Sequence, residues 1–163
     1  MKKLFLIRHA KSSWADMSLD DFERPLNKRG KHDAPMMGKR LHKRGIKADL
    51  ILSSSAKRAK KTAKKIAKEI GYNPSEIQFL EALYESDSRS MLKILKQQNK
   101  SIDTLFMVGH NPELNSLASK LVGFDENIVT CGIVEIGFRC EDWKDISAHN
   151  ATIISYDFPK NGV

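Results

Sequence analysis

The chain has 163 residues, enough for one domain with a sizeable core, and its 40% apolar and 29% charged residues exclude a disordered class. Lys and Arg outnumber Asp and Glu by 28 to 20, a surplus of +8 that favours an anionic ligand without choosing among phosphate, nucleic acid and acidic protein. No apolar run approaches the roughly 18 residues of a membrane span, and no repeat or low-complexity linker divides the chain, so a single domain over 1–163 is expected.

The first element is "KLFLI" (3–7), which reads as a buried strand. Its lysine-led start resembles a signal peptide, but Arg8 and His9 interrupt the apolar run after about four residues, where an h-region needs roughly 7–15. "RGKHDAPMMGKRLHKRG" (29–45) predicts a helix with Met36, Met37 and Leu41 inward and Gly45 at its close. Pro35 fits only the first turns of such a helix. "ADLILSS" (48–54) is the next strand, and "AKRAKKTAKKIAKEIG" (56–71) a helix with Ala59, Ala63, Ile66, Ala67 and Ile70 at helical spacing. "EIQFLEAL" (76–83) predicts a short strand with its exit, and "SRSMLKILKQQ" (88–98) a helix. "DTLFMVGH" (103–110) is a third buried strand, followed by a helix over 111–123 with Pro112 near its first position. Strands over 132–138 and 151–158 complete the series. Such alternation, with continuous apolar strands, predicts an α/β sheet covered on both faces. Cys131 and Cys140 fit no metal, redox or disulfide spacing and read as reduced thiols of a cytoplasmic protein.

Open α/β sheets bind ligands at the carboxyl ends of their strands. Three strands release polar groups there: Arg8 and His9, with Lys11, Ser12 and Ser13 beyond; Ser53, Ser54 and Ser55, then Arg58; and Gly109, His110 and Asn111. Taken singly these features are ordinary. An Arg-His pair can be an edge feature, Asn111 a helix cap, and Arg58 part of a solvated charge run. Together they bring two histidines, two arginines and two helix N-termini to one edge, where the helix ends also favour anions. Two guanidinium forks suit a tetrahedral dianion. A neutral imidazole can take a phosphoryl group as nucleophile, and a second can donate to the phosphoryl oxygens.

The motifs resemble those of the histidine phosphatase superfamily, and more closely its SixA-type phosphohistidine phosphatases. "LIRHAKS" resembles the strand-terminal Arg-His motif, "DDFERPLNKRG" (20–30) the Arg-Pro-Leu segment, "LILSSSAKRAKKTA" (50–63) the serine turn with the second arginine, and "MVGHNPELNSLA" (107–118) the second-histidine motif. The resemblance implies a three-layer α/β/α sandwich with a mostly parallel central sheet, phosphoglycerate-mutase-like. It implies His9 as nucleophile, Arg8 and Arg58 on the phosphoryl oxygens, and His110 against them from the other side. Lys11, Ser12 and Asn111 are further phosphate-binding candidates. No metal or other cofactor is implied. Ala10 stands where relatives commonly have glycine. Relatives that use a carboxylic acid place it near "EALYESDS", where Glu85 is the nearest match and Glu81 and Asp87 are rivals. SixA-type members lack a clear glutamate there, which suits phosphohistidine, whose imidazole leaves more easily than an alkoxide.

The expected function is a phosphatase, acting on phosphohistidine in a phosphoprotein, with a small phosphorylated metabolite as the alternative substrate. A basic nucleic-acid-binding module is the remote alternative. "KRAKKTAKK" suggests it, but no Phe, Tyr or Trp lies between residues 23 and 71 to stack a base. The histidines show no metal-ligand spacing. His32 and His42 read as exposed helix residues, and Trp14 and Trp143 as packing or pocket-wall residues. Membrane association is not expected, and the oligomeric state is left open.

Overall fold

A computed structural model describes residues 1–162. Among them six strands form one sheet: β1 (Lys2–Arg8), β2 (Leu50–Ser54), β3 (Gln78–Leu80), β4 (Thr104–Gly109), β5 (Ile133–Phe138) and β6 (Ala151–Asp157). Their order is β3-β2-β4-β1-β5-β6. β1, β2, β3 and β4 pair in parallel, whereas β5 runs antiparallel to both β1 and β6. The sheet is therefore mostly parallel.

The helices are α1 (Lys28–Lys43), α2 (Lys57–Ile70), α3 (Ser88–Lys96) and α4 (Glu113–Val122). Alternation along β1 divides the core into two. Phe5 and Ile7 pack with Met37 and Leu41 of α1 and with Ala63 and Ile66 of α2. Leu4 and Leu6 share the opposite cluster with Leu95 of α3, Leu114 and Leu117 of α4, and Trp143. A strand apolar on both faces thus needs helices on both sides, which gives the three-layer sandwich expected above.

The segment after α2 gives the expected short strand, three residues long, followed by a 3-10 turn over Glu81–Leu83. Two details differ from expectation. Pro35 lies eighth in α1, well past the first turns. Burial of Ala34, Met37 and Leu41 against the sheet layer outweighs the hydrogen bond that proline removes. Of the two tryptophans, Trp143 is fully buried, but Trp14 is 67% exposed, with the Arg24 guanidinium 3.2 Å above its ring.

β1 feeds α1 over one face of the sheet and β4 feeds α4 over the other. Their connections leave in opposite directions, toward β2 and toward β5. A crevice opens between neighbouring strands where such connections diverge. That crevice lies at the carboxyl ends of β1 and β4.

Candidate active site

β1 and β4 stay in parallel register up to Arg8 and Gly109. The next residue on each strand emerges at the same level, so His9 and His110 meet. Their ring centroids lie 5.1 Å apart, and the rings are 8% and 7% exposed at residue level. They line a cavity of about 590 Å³ together with Arg8, Arg58, Asn111 and Glu85. Asp21, Tyr84 and Glu113 also line it.

His9 is set by its own backbone. Its amide donates to the Gly109 carbonyl at 3.1 Å, and its Nδ1 lies 2.7 Å from the Ala10 carbonyl oxygen. A carbonyl only accepts, so Nδ1 carries the ring proton and Nε2 keeps a free lone pair. Burial pulls His9 down to about 3, against the bond to Ala10 and with the help of nearby His110, Arg58 and Arg8. The ring is neutral near pH 7. Ala10 is fully buried and donates its amide to Thr62 Oγ1 at 2.9 Å, tying the loop after β1 to α2. The position that is glycine in relatives thus tolerates a methyl group here.

His110 is set by side chains. Its Nε2 lies 2.8 Å from Ser54 Oγ, and an Arg58 Nη2–H approaches its Nδ1 at 3.4 Å. Arginine only donates, so Nδ1 accepts and Nε2 carries the proton in the neutral ring. Burial first, then the Arg58 charge, lowers His110 to about 4. Arg58 is buried on the first turn of α2, and Asp21 holds it twice: Nη1 donates to the Asp21 carbonyl at 2.6 Å and Nη2 to Oδ2 at 2.9 Å.

Asp21 is one of the cavity residues that sequence reasoning missed. Its carboxylate accepts from Arg58, from Arg24 Nη1 at 2.9 Å and from Tyr84 Oη at 2.8 Å. Desolvation opposes its charge, but the bonds from Tyr84, Arg58 and Arg24 prevail and hold it at about 2. Arg24 also donates to the Ser13 carbonyl and to Ser12 Oγ, closing the loop of residues 12–24. Gly30 completes the segment, because a Cβ there would overlap the Lys11 carbonyl. The Arg-Pro-Leu stretch is therefore a brace for the loop behind His9. The signal available in the sequence was its acidic start, "DDFERP", one loop away from the strand ends.

The remaining candidates separate. Arg8 Nη1 and Asn111 Nδ2 both donate to the Ile128 carbonyl, at 3.0 and 2.8 Å. Glu85 reaches the cavity but is exposed. Asp87 also lines the cavity but accepts from the Ser90 amide as the cap of α3, whereas Glu81 is exposed outside the cavity lining. Lys11 and Ser12 do not line this cavity: Lys11 faces a separate cleft, and Ser12 accepts from Arg24. Glu113, in the first turn of α4, was not singled out from sequence. It is half-buried at the cavity wall, and burial pushes its carboxyl up. Both Arg8 Nε and Arg58 Nε are buried with no partner among the described residues. Two guanidiniums held with unused donors beside two neutral imidazoles form a cationic cavity that an anion would complete.

The family description "Histidine phosphatase superfamily (branch 1)" matches residues 4–99, more than half of the chain. The chain belongs to the histidine phosphatase superfamily. An uncharacterised chloroplast protein of Arabidopsis thaliana is 32% identical over 155 residues, spanning 90% of this chain and 71% of that protein. A candidate phosphohistidine phosphatase SixA from Agrobacterium tumefaciens superposes with a TM-score of 0.83 at 25% identity, covering 97% of this chain and 98% of the other. A protein histidine phosphatase SixA complexed with tungstate shares the fold with a TM-score of 0.82 at 20% identity, covering 98% of each chain. This superfamily membership and the SixA-like neighbours support phosphatase activity. Among the described residues no group of three or more His, Cys, Asp or Glu is placed to hold a metal ion, and no helix is long and apolar enough to cross a membrane.

Proposed function

We propose that this protein removes the phosphoryl group from phosphohistidine on a protein, by way of a phosphohistidine formed on its own His9. One observation carries the reading. His9 donates its Nδ1 proton to the Ala10 carbonyl, which leaves Nε2 unprotonated in a cavity that Arg8 and Arg58 also line. Nε2 attacks phosphorus while the nitrogen–phosphorus bond of the substrate breaks. The freed imidazole takes a proton from solvent. Arg8 and Arg58 neutralise the equatorial oxygens, and His110 gains a proton at Nδ1 once a dianion replaces Arg58 as its neighbour. Water then attacks the phosphoenzyme, releasing inorganic phosphate and the His9 lone pair.

The proton donor distinguishes substrates. Imidazole leaves with little help, whereas an alkoxide needs an acid. Glu85 is solvated and makes no hydrogen bond among the described residues, which supports phosphohistidine over an alkyl ester. A second reading, a small phosphorylated metabolite, has one observation behind it: Glu113, half-buried with its pKa raised, lines the same cavity.

The test is a panel of a phosphohistidine peptide, an aryl phosphate and an alkyl phosphate, with rapid quench for an acid-labile, base-stable phosphoenzyme. The phosphohistidine peptide is expected to give the highest kcat/KM, and Glu85→Gln and Glu113→Gln to leave it unchanged. A fall of roughly 10²–10⁴ on the alkyl ester alone in either variant would identify the acid and favour the metabolite.

A further inference from the structure

The charge of this molecule is gathered on one layer. α1 and α2 carry thirteen Lys and Arg against only Asp33 and Glu69. Their surplus of 11 exceeds the whole chain's +8, so everything outside these two helices is net negative. Within α2, Lys57, Lys61, Lys64 and Lys68 are all exposed and recur at the spacing of one helix face. At 1.5 Å per residue this row is about 16 Å long. Its first member, Lys57, precedes the cavity-lining Arg58 in the chain, so the row starts at the helix end nearest the cavity and runs away from that end.

Apart from Lys64 over the Phe79 ring, the fold supplies no partner for this row among the described residues. No acidic residue stands in the first turn of α2, where the helix dipole favours one and disfavours lysine. Neighbours along the row sit three and four residues apart, where like charges destabilise a helix by a few tenths of a kcal/mol each. Glutamates at Lys57 and Lys64, alternating with the other two lysines, would relieve both costs. Among the described residues, the ion pairs made by α1, α2 and the loops leave all six lysines of α2 without a carboxylate. A groove of about 200 Å³ lined by Pro25, Leu26 and five lysines lies beside the row. The exposed face offers no aromatic platform for bases. Phe79 lies partly buried beneath Lys60 and Lys64, whose Nζ atoms are 5.2 and 5.7 Å from its ring.

We infer that the α2 lysine row is a docking surface for an acidic stretch of the phosphorylated protein, which seats its phosphohistidine in the adjoining cavity. This rests on the phosphohistidine reading above and names the kind of protein that carries the group. An extended acidic segment needs only about five residues beyond the phosphohistidine to cover the row. Attraction of this kind acts on encounter and register, and it weakens as salt shortens the screening length.

The experiment compares two phosphohistidine peptides, one with a run of Asp and Glu after the phosphohistidine and one with Ser and Gly in its place, alongside p-nitrophenyl phosphate. The variant Lys61→Gln/Lys64→Gln/Lys68→Gln leaves the cavity lining untouched, and glutamine keeps the helix propensity of lysine. Lys93→Gln/Lys96→Gln on α3 is the control. Wild type should prefer the acidic peptide, with the preference fading at high salt. The triple variant should lose roughly ten-fold to a hundred-fold in kcat/KM on the acidic peptide. Its rates on the neutral peptide and on p-nitrophenyl phosphate should not change, and the α3 variant should match wild type throughout. Equal wild-type rates on the two peptides, or equal losses by the triple variant on all three substrates, would overturn the docking surface alone. Turnover of neither peptide, with p-nitrophenyl phosphate still hydrolysed, overturns the phosphohistidine reading and the docking surface with it.

Discussion

Arg8 and His9 hang from main-chain carbonyls alone, whereas Arg58 and His110 hang mainly from side chains, with one bond from Arg58 to the Asp21 carbonyl. The first pair follows directly from β1, and its polar contacts go to the carbonyls of Ala10 and Ile128. The second pair comes from two separate elements and is joined by Ser54, by Asp21 and by the contact between the two residues. The first pair can be misplaced only by moving the sheet or its loops. The second can be dismantled one side chain at a time, with the fold intact. The site therefore has a rigid half, suited to hold a nucleophile, and an adjustable half, suited to follow charge as it moves through the reaction.

The largest break in this comparison is His9→Ala. Turnover of every substrate should drop to background, and the phosphoenzyme should vanish from rapid-quench samples. A variant that kept much of its rate would place the nucleophile elsewhere. Next comes Arg58→Ala, which removes charge stabilisation and leaves the nucleophile in place. It should slow phosphohistidine, aryl and alkyl substrates alike, by roughly 10²–10³ in kcat/KM. Unequal losses across the three would mean that Arg58 acts on the leaving group and not on the transferred phosphoryl.

The rigid half was legible in the sequence, and the adjustable half only in part. A continuous apolar strand that ends in Arg8 and His9 announces both a buried position and a reason to be there, and the same holds for Gly109 and His110. Arg58 was legible because α2 follows its strand by so few residues. Asp21 and Tyr84 were not. Asp21 meets Arg58 across 37 residues and Tyr84 meets Asp21 across 63, from segments with no helical or strand periodicity to place them. Lys11 and Ser12 misled in the opposite way. Adjacent to His9 in sequence, they turn aside because Gly30 and Arg24 draw that loop against the start of α1. An α/β sheet covered on both faces was readable from strand–helix alternation, and its mostly parallel order was what the resemblance implied. The depth of Pro35 in α1 was not, because local propensity is weaker than burial of a helix face.

A subtler break targets the brace of the adjustable half. Asp21→Asn keeps the shape of the side chain but removes the charge that holds Arg58 and Arg24. Arg58 should become looser, lowering kcat by about ten-fold. The same substitution removes a carboxylate from the cavity lining, so inorganic phosphate should inhibit the variant at lower concentration than wild type. Reduced kcat with tighter phosphate binding is the signature of a positioning residue. A fall in both would mean that Asp21 only supports the fold.

The smallest effect concerns stability, and it separates the histidines from the surrounding carboxylates. Burial holds His9 at about 3 and His110 at about 4, both below the ordinary histidine value of 6.5. Below pH 6.5 the unfolded chain binds protons at these positions that the folded chain refuses. The stability associated with each neutral ring is complete above pH 6.5 and declines as pH falls, down to about 4 for His110 and about 3 for His9. Near pH 5 the two should behave alike, each costing about 2 kcal/mol relative to neutral pH. His9→Ala removes one of these costs. Its Tm should therefore fall less than that of wild type between about pH 7.5 and pH 5, by roughly 4–8 °C for a chain of this size. Sulfate, a dianion at both pH values, should narrow the wild-type loss, because an anion between the guanidiniums restores the protonated form of His110. It should do so far less in Arg58→Ala. Equal acid sensitivity of wild type and His9→Ala would show that the rings titrate normally, and the neutral His9 on which the phosphoryl-transfer reading depends would then need another cause.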